Sequence, residues 1–167
     1  MATPLEQFTA ECRTILTAEP GPSGRRKICM RLEQLLRDPD FVKALVTERT
    51  PERHVLYEDP QLKFCVLAHK YDGAKDSPPH DHGPSWAIYG QAQGETEMTD
   101  FALVASPAEG RPGKARALRT YKLTPGMAYL YNEGDLHAPC RRGPTRLIRI
   151  EGMNMDRVKR AKFEAVP

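Results

Sequence analysis

From Pro51 onward the chain is cut into short runs rich in Val, Leu, Phe, Tyr and Thr by turn-forming strings: EDPQ at 58–61, YDGAKDSPP at 71–79, SPAEGRPGK at 106–114, TPG at 124–126, NEGD at 132–135 and RRGPT at 141–145. Glycine supplies positive φ and proline fixes φ near −65° while removing a donor, so such strings end strands and reverse the chain. Runs this short and connections this tight predict antiparallel hairpins closed into a sandwich or barrel. No helical pattern separates them, which disfavours a parallel sheet with crossover helices.

The first fifty residues have the other periodicity. Leu5, Phe8, Cys12, Ile15 and Leu16 recur at three- and four-residue steps, as do Ile28, Leu32, Leu35 and Leu36, which predicts two amphipathic helices. EPGPSG at 19–24 separates them, with Ser23 as a candidate N-cap, and RDPD before Phe41 predicts a short third helix. The expected organisation is a helical cap over 1–50 and a β-barrel over 51–167 forming one unit. ASPAEGRPGKARA at 105–117 reads as an exposed loop, and MNMDRVKRAKF at 153–163 has the spacing of a short closing helix.

At 167 residues the chain can bury a sizeable core. Its 25 basic and 22 acidic residues give a net charge of +3, too mild to imply a nucleic-acid or membrane partner. Cys12, Cys29, Cys65 and Cys140 are scattered without CxxC spacing and no secretory leader precedes them, so reduced thiols in a cytoplasmic protein are expected. No apolar run approaches the roughly 18 to 20 residues that span a bilayer. These properties point to small-molecule chemistry.

Two of the five histidines, His80 and His82, stand one residue apart in SPPHDHGPSW. On an extended strand, residues i and i+2 share a side, so both imidazoles would aim at one point while Asp81 faces away. Two polar residues on an exposed strand end are the plainer alternative. His137, in the turn-rich LYNEGDLHAPC, is a third imidazole that an antiparallel barrel can return to the first two.

Lys63 to Gly94, together with Gly134-Asp-Leu-His137, resembles the cupin barrels, and within them the cysteine and mercaptopropionate dioxygenase group, over roughly Arg53 to Phe163. His80, His82 and Gly94 fit the cupin pattern, but the place of its glutamate falls at Trp86 or Ala87. Loss of that glutamate with three histidines kept is the departure that the thiol dioxygenases share. Where animal members carry a cysteine crosslinked to tyrosine, this chain has Ala87. The resemblance implies a jelly-roll barrel holding one divalent metal, iron(II), on His80, His82 and His137, with dioxygen and a small anionic organic acid as substrates; pairing into a homodimer through barrel edges is compatible with it. Imidazole alone suits zinc, nickel or copper equally. Three neutral imidazoles also leave a divalent ion its full charge, which favours anionic ligands.

The resemblance further implies an arginine on an early strand gripping the substrate carboxylate, for which Arg53 is the candidate; a surface role is its alternative. The family's Ser-His-Tyr relay on a late strand falls here on Leu147, Arg149 and Glu151, so the relay is missing and the substrate is less constrained than the metal. These three share a strand face, and Arg149 is expected either to pair with Glu151 or to bind an anionic substrate. Tyr89 is expected at the substrate site, where it, Tyr129 or Tyr131 would replace the missing phenol, packing with the hydroxyls at the rim being the plainer alternative; Trp86 is expected on the pocket wall or in the barrel core. His54 should face away, His69 is a weaker metal candidate, and Cys140 and Cys65 are expected to stay out of the coordination. Rival activities are carbon–carbon cleavage at the same site, zinc hydrolysis, and ligand binding without catalysis.

Overall fold

The computed structural model describes residues 1–167. Three helices come first, α1 (Pro4–Ala18), α2 (Pro22–Leu35) and α3 (Pro39–Leu45). Each begins with proline, which costs no hydrogen bond in the first helical turn. Thr3 and Glu6 form a capping box on α1, and Asp38 caps α3. Ser23 is not the cap of α2: Pro22 takes the first turn, Gly21 becomes the cap, and the Ser23 hydroxyl donates back to Glu19 at 2.8 Å.

Ten strands follow: β1 (His54–Glu58), β2 (Cys65–Tyr71), β3 (Lys75–Asp76), β4 (Ala87–Gln93), β5 (Thr96–Ala105), β6 (Gly113–Leu123), β7 (Ala128–Tyr131), β8 (Leu136–Arg141), β9 (Thr145–Glu151) and β10 (Phe163–Val166). They form two five-stranded sheets, β1-β2-β9-β4-β7 and β10-β6-β5-β8-β3. β5 pairs with β6, β4 with β7, β3 with β8 and β2 with β9, all antiparallel. This is one long hairpin rolled up, with β4·β9 and β5·β8 ladders closing the roll. The fold is therefore mainly β, a jelly roll of the double-stranded β-helix kind behind an N-terminal helical region, as the turn punctuation predicts.

Strand alternation divides the first sheet between two environments. Val66, Ala68, Ile88, Ile148 and Ile150 pack under the helices against Phe8, Cys12, Leu16, Ile28, Leu32 and Phe41. The opposite face points into the barrel, where Leu67, Arg149 and Tyr89 stand side by side on β2, β9 and β4. Gly90 lets α2 sit close to β4: a Cβ there would lie 2.7 Å from Leu32 Cδ2.

Two segments differ from their sequence reading. The 105–117 loop is shorter, because β6 starts at Gly113. The expected closing helix is only a 3-10 turn at Met155–Arg157, after which β10 pairs parallel with β6. Covering the otherwise unpaired edge of β6 outweighs a weak helical periodicity. No helix is long and apolar enough to cross a membrane.

Candidate metal centre

His80 and His137 are fastened to each other through the backbone: His80 N donates to His137 O at 3.0 Å and His137 N to His80 O at 2.9 Å. His137 is the second residue of β8, after a turn in which Asn132 N donates to Asp135 Oδ2 at 2.7 Å and Gly134 takes a positive φ of 80°. Arg25 of α2 fixes that turn through a bidentate pair with Glu133, at 2.5 and 2.7 Å, and a bond to Asn132, while stacking over Trp86. His82 lies not on an extended strand but in a turn, where Asp81 accepts from Gly83 N and Ser85 N donates to His82 O. The two rings still converge, by turn geometry rather than strand alternation.

One nitrogen from each of His80, His82 and His137 lies within 4.8 Å of the others, and no carboxylate joins them. His82 Nε2 and His137 Nε2 are 3.3 Å apart. His80 Nδ1 is bonded to Pro78 O at 2.9 Å and His137 Nδ1 to Asp135 O at 3.0 Å. A carbonyl can only accept, so both rings carry their proton on Nδ1 and turn a bare Nε2 lone pair inward. Burial first, and the nearby Arg149 cation in addition, pulls the His80 pKa down to about 4 and holds His82 and His137 far below the usual imidazole range. Three neutral, convergent imidazoles, two of them with carbonyl-fixed tautomers and the third, His82, with its buried Nδ1 unpartnered, fit a divalent transition metal.

The Tyr89 hydroxyl faces the same point, 3.1 Å from His82 Nε2, 3.3 Å from His137 Nε2 and 3.5 Å from His80 Nε2. Burial raises its pKa, opposed by the Arg149 guanidinium 4.1 Å above its ring, and the phenol stays protonated. Tyr131 stacks on His137 with ring centroids 3.9 Å apart and orients it from behind. Tyr129 lies farther out, bonded to Arg119.

Arg149 and Glu151 lie beside this centre and pair at 3.4 Å, the first of the two arrangements expected for them. Glu151 is also held by Arg53, whose Nη1 and Nη2 each donate to it at 3.0 Å while Nε donates to Asp156 at 2.9 Å. The guanidinium fork that the resemblance offers to a substrate is thus taken up by protein carboxylates. Trp86 is likewise not on the pocket wall: its ring belongs to the core between cap and barrel, against Gly152. Strand alternation just before β4 sends it away from the histidines.

His69 is buried in a neighbouring cavity with Arg53, Arg149 and Glu151, and its Nδ1 is bonded to Glu52 O at 2.7 Å; it is not part of the three-histidine group. His54 is exposed, Cys65 is a core residue, and Cys140 opens onto a separate cavity with Glu95, Glu97 and Lys122. Arg141 was hidden in the sequence inside the turn string RRGPT. It lies four residues after His137 on one strand, hence on the same face, and lines a cavity with His80, Tyr89 and Arg149. Counting by twos from His137 is the signal that would have found it.

No protein-family model matches the chain, and no curated protein matches it. Among solved structures, the chain is similar to the Cnp3 cupin domain of Schizosaccharomyces pombe (12% identity, 61% of this chain and 64% of that one, TM-score 0.46). It is also similar to a cupin superfamily protein of Desulfitobacterium hafniense (13% identity, 65% and 83%, TM-score 0.46) and to KdgF of Halomonas sp. (18% identity, 67% and 91%, TM-score 0.47). The chain spans just under two thirds of the length of the first of these.

Proposed function

We propose that this chain is a metal-dependent oxygenase that binds iron(II) on His80, His82 and His137 and combines a small anionic organic acid with dioxygen. The observation that carries the reading is the convergence of three neutral imidazoles, without a carboxylate, beside buried arginines. When bound, the metal supplies the redox chemistry that side chains lack. His80 and His137 are held for this task by their carbonyl bonds, and His82 by its turn.

Tyr89 takes the part that the missing relay leaves open. Its neutral O–H is within hydrogen-bond reach of the reacting position, where it donates to an anionic group and keeps a proton in place. Arg149, stacked on that phenol, and Arg141 in the same cavity without a carboxylate partner set a positive potential that attracts an acid and disfavours a cationic substrate. The enclosing walls, Tyr71, Tyr89 and the arginines, suit a short polar molecule. Likeness to the thiol dioxygenases supports a thiol acid as the first class to try.

The test is elemental analysis of protein purified without added metal, followed by oxygen uptake of the iron-loaded protein with thiol acids, diketones and hydroxy acids. Uptake with one class, lost in His82→Ala, is the expected result. Bound zinc with hydrolysis and no uptake would move the reading to a hydrolase, and neither metal nor uptake would end it.

A further inference from the structure

Arg141, Arg149, His80 and Tyr89 line one cavity of about 280 Å³, together with Tyr71 and the exposed Arg160. The charges around it do not balance. Arg149 and Arg53 share Glu151, and Arg53 also has Asp156, so two guanidiniums face two carboxylates. Arg141 has no carboxylate. It is only 2% exposed, its Cζ sits 4.6 Å from the centroid of the Tyr71 ring, and its Nε and Nη2 are buried without an acceptor. Arg149 Nε is buried without an acceptor as well.

A buried cation in this condition costs the fold free energy, and stacking on one aromatic ring offsets only part of that cost. Its geometry matches a carboxylate, which accepts two parallel N–H bonds from a guanidinium fork. The fold sets the place of any such anion: β8 carries His137 and Arg141 on the same face, and the cavity that Arg141 lines also reaches His80 and Tyr89 of the three-histidine centre.

We infer that Arg141, with the free Nε–H of Arg149, forms a carboxylate-binding subsite beside the three-histidine centre, so that the substrate is a short acid with two anionic groups. One group is drawn to the centre; the other is a carboxylate held by Arg141. Only the first half rests on the proposed function. The second rests on the burial and the unpartnered N–H groups of Arg141 itself.

The experiment is calorimetric titration of zinc-loaded protein, which is redox-inert, with succinate and glutarate against butyrate, and with inorganic phosphate as a tetrahedral control. The two-carboxylate acids are expected to bind about tenfold tighter than butyrate, the worth of roughly one charge-assisted bond. Arg141→Met should erase that advantage, and without ligand it should melt no lower than the wild type, because it removes an uncompensated charge. Arg141→Lys, which keeps the charge and loses the fork, should fall between the two. An unchanged preference in Arg141→Met, a lower melting temperature accompanying its loss, or tighter binding of phosphate than of succinate would each overturn the inference. In metal-free protein, succinate binding should remain and depend on Arg141. If no zinc binds, the proposed function fails while that titration still decides the subsite.

Discussion

Replacing Glu151 by glutamine isolates the most heavily charged contact in the barrel. The carboxylate is 1% exposed and accepts from Arg53 Nη1 and Nη2 at 3.0 Å each, with Arg149 Nη1 at 3.4 Å. Without it, Arg149 keeps no carboxylate, and Arg53 keeps only Asp156, a surface partner that is 60% exposed. Removing one partner of a buried ion pair costs about 3 to 5 kcal/mol, and because Arg53 can turn toward water the lower end applies, about 3 kcal/mol. With a urea slope of about 2 kcal/mol per molar, the unfolding midpoint should fall by roughly 1.5 M. Adding Arg53→Met to Glu151→Gln should cost at least about 1 kcal/mol less than the two single changes summed, since the second change removes a cation that the first has orphaned. Urea unfolding followed by circular dichroism measures all three variants. A loss below about 1 kcal/mol for Glu151→Gln, or strict additivity in the double variant, would refute the idea that this carboxylate balances two cations.

Tyr89→Phe should lower oxygen uptake by about tenfold to hundredfold while metal content, read by elemental analysis, stays at the wild-type level, as befits a proton-holding group that is not a ligand. Gly90→Ala should destabilise by about 1 to 3 kcal/mol in thermal unfolding, because its Cβ would meet Leu32 Cδ2 at 2.7 Å and the unyielding carbonyl of Ile148 at 2.9 Å. Asp59 should make stability depend on acid pH: burial works to raise its pKa, but bonds from Leu62 N, Arg13, Gln61 N and Tyr57 outweigh it and hold the carboxyl at about 2. A lowered folded pKa gives stability that is present above the ordinary value of 3.8 and lost as pH falls toward 2, so unfolding free energy against pH should be flatter over that window in Asp59→Asn.

The barrel was legible because short apolar runs and turn residues are local signals, whereas the pairing of β2 with β9, far apart in the chain, is a tertiary fact that no local signal carries. The three histidines were legible as a set, although the reason given for His80 and His82 was incomplete: the backbone bridge to His137 and the turn at Gly83 orient them, and neither is visible in a dipeptide spacing. Of the two places expected for Trp86 the structure has the core and not the pocket wall, a choice the sequence leaves open because alternation tells which residues share a face, not which face the helices cover. Arg141 was missed because a glycine and a proline close by marked its neighbourhood as a turn. The last segment was read as a helix because three- and four-residue spacing survives in any stretch with scattered Val, Met and Phe, whereas the edge of β6 that claims Phe163–Val166 is a tertiary fact.

The most direct measurement is the stoichiometry of divalent metal bound to the wild type and to His80→Ala, His82→Ala and His137→Ala, with each variant checked for native circular dichroism. One tightly held ion is expected in the wild type, with a loss of at least about tenfold in affinity in every variant. A folded wild type that holds no metal, or a folded variant lacking any one of these imidazoles that binds it unchanged, would contradict this expectation.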